Sequence, residues 1–247
     1  MVDPCPLQEY IGFTETEVEM LCKKYQKDYA LMQQWYDGYF VGGIHVYNPK
    51  SVMESILRNK FNSYWTKTET YEALRDYIDM NFDGLKDAVI DMLGGAVCEV
   101  DTGSFQNDMT SMKSKDDVLT LLIHLGYLAY DEEKQTVGIP NVEIRQEFIR
   151  AIKNGNRTEL MKAIQRSDDI LRATWQMDGG TVAELINEIH DEDTATVFYN
   201  NEQALRSVVK IAYLSSVDYY AKMEELSAGK GLSLIHISEP TRLGMIS

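Results

Sequence analysis

In 247 residues the chain carries 24 Lys and Arg against 39 Asp and Glu, a formal net charge of −15, with 44% hydrophobic residues. That hydrophobic share supports a packed core, while the charge excludes a surface that as a whole attracts polyanions. No apolar run is long enough to span a bilayer and no charged-then-apolar leader opens the chain, so a cytoplasmic location without a membrane partner is expected. The cysteines Cys5, Cys22 and Cys98 are scattered, without paired spacing or a nearby histidine, which supports neither a disulfide framework nor a zinc site.

In chain order, Thr14-Glu15-Thr16-Glu17 reads as a capping box, with Phe13 and Val18 as its hydrophobic staple. Val18, Leu21, Cys22 and Tyr25 then recur on one apolar helical face, which makes Cys22 a buried free thiol. Tyr29, Met32, Trp35 and Tyr36 repeat the helical spacing, and Gly38 stands where a left-handed helix cap is expected. A tight turn through Val41-Gly42-Gly43 leads to a short strand at Ile44–Tyr47. Asn48 followed by Pro49 is a strong helix start, Asn as N-cap and Pro at the first helical position. Helices are predicted at Pro49–Arg58, Tyr71–Asp79 and Gly84–Leu93, with Phe61, Tyr64 and Trp65 between the first two. Gly94-Gly95 breaks the pattern, and a short strand is expected within Ala96–Val100.

Ser111 to Lys153 forms one readable unit. Lys115–Leu125 is a helix with Val118, Leu121, Leu122 and Leu125 on its inner side, stopped by Gly126. Tyr127–Tyr130 and Thr136–Ile139 are short strands joined by the polar turn Asp131-Glu132-Glu133-Lys134. Pro140-Asn141 opens a helix with Ile144, Phe148 and Ile152 facing inward. Helix, hairpin, helix is the layout of a winged-helix unit, a fold element used either for DNA binding or for packing between domains. Six Lys and Arg against seven Asp and Glu in this segment favour the packing role.

Farther on, short helices are expected at Asn156–Arg166 and Ser167–Met177, the second capped by Ser167-Asp168-Asp169. Gly179-Gly180-Thr181 reads as a break before a helix at Val182–His190, and Asp191-Glu192-Asp193 as a solvated turn rather than a metal site. Asn201 to Lys210 begins a helix with Leu205, Val208, Val209 and Ala212 as its apolar stripe. Glu202 stands four residues before Arg206 on that helix and can form a surface ion pair with it. Asp218-Tyr219-Tyr220, Glu224-Glu225-Leu226 and Gly229-Lys230-Gly231 follow.

Trp35-Tyr36-Asp37-Gly38-Tyr39 and Val46-Tyr47-Asn48-Pro49-Lys50-Ser51-Val52 together resemble the WYDGY…YNP-S-V signature near the end of the predicted AAA-ATPase-like domain in a large, mostly bacterial family. In that family a PD-(D/E)XK nuclease-like domain follows, and the run from Asn201 to Gly231 resembles its opening. The resemblance implies a parent protein that binds ATP and Mg²⁺ and carries a metal-dependent nuclease-like domain. It matches Glu202 to the helix glutamate that helps orient the nuclease metal. The strand aspartate and Glu-x-Lys that complete such a site have no match here, and one carboxylate does not hold a catalytic Mg²⁺. The ATPase loop G-x-x-x-x-G-K-S/T is also not found: the one Gly-Lys pair, Gly229-Lys230, is followed by Gly231.

The last stretch, Leu232-Ser233-Leu234-Ile235-His236-Ile237-Ser238-Glu239-Pro240-Thr241-Arg242, resembles a translated sequencing-library adaptor, so residues 232–247 are expected to pack poorly, with any strand pairing there an accident of strand propensity. The resulting expectation is a mainly α fragment. Residues 1–108 would be the helical lid region of an AAA-ATPase-like domain, 109–154 a winged-helix unit with its small hairpin, and 155–199 connecting helices. Residues 200–231 would be the first helix and start of a truncated α/β nuclease-like domain. Such a chain is expected to be inactive alone, with no cofactor of its own and no nucleic-acid partner; a non-catalytic interaction or scaffold module is the alternative.

Overall fold

The computed structural model describes residues 7–65, 74, 76–78, 80, 82–103, 105, 112–154, 158–193, 208–218, 222–228 and 231–237. Over these the chain is mainly helical with small antiparallel sheets, the largest of three strands. It divides into two units, Met1–Arg157 and Thr158–Ser247.

In the first unit, strand β1 (Phe13–Thr14) runs into helix α1 (Glu15–Tyr25). The capping box forms as read: the Thr14 hydroxyl accepts from Glu17 N–H, and the Glu17 carboxylate accepts from Thr14 N–H at 2.8 Å. Helix α2 (Tyr29–Tyr36) is capped by the Asp28 carboxylate, which accepts from Leu31 N–H at 3.1 Å. Gly38 does not cap it. The C-cap is Asp37 in extended conformation, and Gly38 follows at φ 114°, outside the helical geometry that a left-handed cap requires. Tyr39–Val41 is itself a strand, β2, pairing with β3 (Ile44–Tyr47) in the register Tyr39↔Val46. Only Gly42-Gly43 is left for the turn. Both have positive φ, as a two-residue hairpin requires. β3 also pairs with β1, so the order is β1-β3-β2.

Helix α3 (Pro49–Arg58) starts as predicted, the Asn48 side chain accepting from the N–H groups of Lys50 and Ser51. Val18, Cys22, Met32, Tyr36, Tyr47, Val52 and Ile56 form one core, against which Phe13, Leu21 and Trp35 pack. Tyr25 leaves the predicted apolar face: at the end of α1 the residue is 44% exposed, with the Lys24 ammonium 5.3 Å from its ring centroid. Cys22 is buried and free, as read; Cys5 lies outside the described residues. So does most of the predicted 71–79 helix, although Leu74, Tyr77 and Ile78 are helical and buried.

Helix α4 (Leu85–Leu93) is followed by β4 (Cys98–Glu99), α5 (Lys115–His124), β5 (Ala129–Asp131), β6 (Thr136–Gly138) and α6 (Val142–Asn154). The hairpin β5–β6 gains β4 as a third strand on the far side of β6. Ser114 and Asp117 make a second reciprocal cap, at the start of α5.

In the second unit, the two short helices expected around Ser167 are one continuous helix, α7 (Thr158–Trp175). Ser167 is not a cap. It is fully buried and its hydroxyl accepts from Ser215 N–H at 2.8 Å, so the oxygen that would compete with the helix is used at long range. The next break comes earlier than Gly179-Gly180-Thr181. Met177 takes positive φ, Asp178 accepts from Thr181 N–H at 3.1 Å, and α8 (Gly179–Asp193) begins with both glycines inside it. Asp191-Glu192-Asp193 closes that helix rather than forming a turn. Ile170, Ile189, Val208 and Ala212 make the core of this unit.

Strands β7 (Lys222–Ala228) and β8 (Gly231–Ile237) pair antiparallel in the register Glu224↔Ile235, so the first part of the adaptor-like tail does take strand form. Residues 238–247 lie outside the described residues. No described helix is long and apolar enough to cross a membrane.

Candidate functional site

All five residues of Trp35–Tyr39 are fixed by contacts within the first unit. The Trp35 ring lies 6.2 Å from Tyr36 and 6.5 Å from Phe61, centroid to centroid. Tyr36, fully buried, donates its hydroxyl to Asn62 C=O at 2.9 Å and accepts from Asn62 N–H at 3.2 Å. Burial pushes its phenol far above the usual tyrosine range. Asp37 C=O accepts from the Asn141 side-chain amide at 2.7 Å. The other end of that amide caps α6, accepting from Ile144 N–H at 3.0 Å. Tyr39 donates to Gly126 C=O at 2.6 Å, and burial likewise raises its phenol pKa strongly.

Gly38 is where backbone meets backbone. A Cβ added there would lie 2.1 Å from Pro140 O. The glycine is therefore required both for its positive φ and for the close approach of the α6 entry segment.

Below this contact, α6 turns two carboxylates inward. Glu143 is 1% exposed, and its Oε1 accepts from Ser51 Oγ at 3.0 Å, Tyr64 N–H at 2.6 Å and Trp65 N–H at 2.8 Å. Burial pushes its carboxyl above the usual range; the three donors pull it down and neighbouring Glu147 pushes it up again. Glu147, fully buried, accepts from Ser63 Oγ and from Arg150 at 2.6 Å. Between them in sequence, buried Arg145 donates its Nε to Leu93 C=O at 2.9 Å, placing a cation at the C-terminal end of α4. Aromatic contacts complete the junction: Trp65 meets Tyr127, and Tyr127 meets Phe148 edge-on at 88°.

Asp37 and His45 form the remaining polar pair, with His45 Nδ1 3.0 Å from the carboxylate. Among the described residues no hydroxyl or thiol is hydrogen-bonded to the imidazole. No group of three or more His, Cys, Asp or Glu able to hold a metal occurs among the described residues either. What this arrangement does chemically is hold segments together: buried acceptors satisfy buried donors from distant parts of the chain.

The predicted catalytic position, Glu202, lies outside the described residues, as do Arg206 and the Gly229-Lys230 pair. Asp218 and Glu224 lie in a 3-10 turn and in β7 respectively. Sequence reasoning missed Glu143, Arg145 and Glu147, charges on a helix that look solvated. A signal was present for one of them: Glu147 falls three residues after Ile144 and four before Ala151, on the apolar face. Neither protein-family models, curated proteins nor solved structures give a match to this chain.

Proposed function

We propose that the chain is a non-catalytic part of an ATPase/nuclease-like protein, in which the segment around WYDGY…YNP is a lid-side element clamped to a winged-helix unit. The observation that carries this reading is Glu143. It projects from the second helix of the helix–hairpin–helix unit and accepts from Ser51, within the YNP-S-V stretch, and from the backbone of Tyr64 and Trp65. The motif thus serves as a structural joint. In the parent, ATP and Mg²⁺ would be bound by segments other than these, and Glu202 would belong to a nuclease-like metal site completed by residues this chain does not supply.

The chain as written neither binds ATP nor cuts DNA on this reading. The test is incubation of the purified chain with plasmid and Mg²⁺ or Mn²⁺, with a separate titration of labelled ATP. Saturable ATP binding, or cleavage abolished by Glu202→Ala, would overturn it. A chain extended through a strand aspartate and a Glu-x-Lys should acquire metal-dependent cleavage. The second reading, a bacterial cytoplasmic scaffold or interaction module that works without chemistry, rests on the same joint, since rigid coupling of helical segments needs no chemistry. A failure of the extended chain to cleave would place it ahead.

A further inference from the structure

The C-terminal ends of α1 and α3 meet. Lys27 Nζ donates to the Asn59 side-chain oxygen, and both helices end beside that contact in a left-handed residue, Gln26 and Asn59. Segments 32 positions apart are thereby joined, and with them Lys23, Lys24, Lys27, Arg58 and Lys60. Three carboxylates share the corner, and exposed Glu19, one turn before Lys23 on α1, forms no ion pair among the described residues. Asp28 caps α2, and Glu54 pairs with Arg58. Lys23, Lys24 and Lys60 are exposed and form no ion pair among the described residues. Neutralising two helix C-termini accounts for about one elementary charge in all. Five cations against three carboxylates still exceed that, on a chain of net charge −15.

The corner is also apolar at its rim. Met20 lies on the same outward face of α1 as Lys23 and Lys24, at spacings of three and four residues. It is 60% exposed, and Leu57, two residues before Asn59, is 74% exposed.

We propose that this corner is a docking surface for an acidic segment of another protein that also carries apolar side chains. Charge complementarity selects the acidic character. The remainder of the strongly acidic surface repels a long polyanion, whereas a short segment meets only the local cations within a Debye length of about 8–10 Å. Exposed Met20 and Leu57 give the segment's apolar side chains a seat; phosphates have no use for them.

The test measures fluorescence anisotropy of a labelled 18-residue amphipathic peptide of Glu and Leu, its Lys-for-Glu counterpart, and a 20-nucleotide single strand. The acidic peptide should bind, weaken as NaCl is raised, and lose at least about tenfold in affinity when Lys23, Lys24 and Lys60 are changed to Gln. Met20→Ser with Leu57→Ser should also weaken it several-fold. Neutralising Lys153 and Lys162, exposed elsewhere, should change it less than twofold. Circular dichroism of each variant checks folding, and the Ser variants keep the test open if the Gln variants unfold. Equal binding by the Lys23/Lys24/Lys60 variant overturns the proposal. So does an oligonucleotide that binds more tightly than the peptide and ignores the Ser variants, which would make the corner a phosphate site. Self-association lost in the Gln variants would assign it instead to a second copy of the chain.

Discussion

The Glu143 joint of the first unit and the Ile170 core of the second hold chain together by different physics. At the joint, segments distant in sequence converge on a buried carboxylate and on a glycine in contact with another backbone. In the second unit, Ile170, Ile189, Val208 and Ala212 form a cluster of apolar side chains, packed against further apolar side chains such as Val182, Leu185 and Ile186. Directional acceptors demand one geometry and fail sharply when a partner is lost; apolar surfaces yield gradually as atoms are removed.

Gly38→Ala probes the sharpest part of that difference. Its Cβ would meet Pro140 O at 2.1 Å in a backbone conformation that L residues rarely adopt. A loss of at least about 3 kcal/mol in urea denaturation is expected; a loss below about 1 kcal/mol would mean that the two backbones separate freely. Glu143→Ala should cost about 3 kcal/mol, because three donors lose their acceptor in a buried site. Glu143→Gln keeps an Oε1 acceptor and should recover most of that loss. Ile170→Val, by contrast, should cost only about 1 kcal/mol, and its effect should not vary with pH.

The smallest effect is a pH dependence confined to the joint. Burial raises the folded-state pKa of Glu143 above its value in the unfolded chain. Its contribution to stability is therefore fully present below the unfolded value and is lost as pH rises through the raised folded value. Gln has no such loss. Glu143→Gln should accordingly gain stability relative to the parent chain between pH 4 and pH 8, read from urea midpoints along the series. A difference that shrinks with rising pH would show that the three donors outweigh desolvation.

Much of the scaffold around the joint is legible in the sequence because it is local. Thr14 with Glu17, Asn48 with Pro49 and the turn Gly42-Gly43 each specify a cap or a turn within three or four residues. The errors fall where a local signal competes with a distant partner. Ser167-Asp168 has the composition of a cap, yet Ser215 takes up both side chains and the helix runs through. Gly38 has the look of a helix stop, yet its use is set by Pro140, more than a hundred positions away.

By itself, then, the sequence determined that the described residues are mainly helical with only small sheets, and where the helices opened by Thr14, Asn48 and Ser114 start, because capping, turn conformation and hydrophobic periodicity act over a few residues. Tertiary structure alone decided that Glu143 is a buried acceptor rather than a solvated charge. It also decided that the lysines of α1 share a corner with Arg58 and Lys60 at the end of α3. Both depend on which segments the core brings within hydrogen-bonding distance, and that distance is set by packing across the whole unit rather than by spacing along the chain.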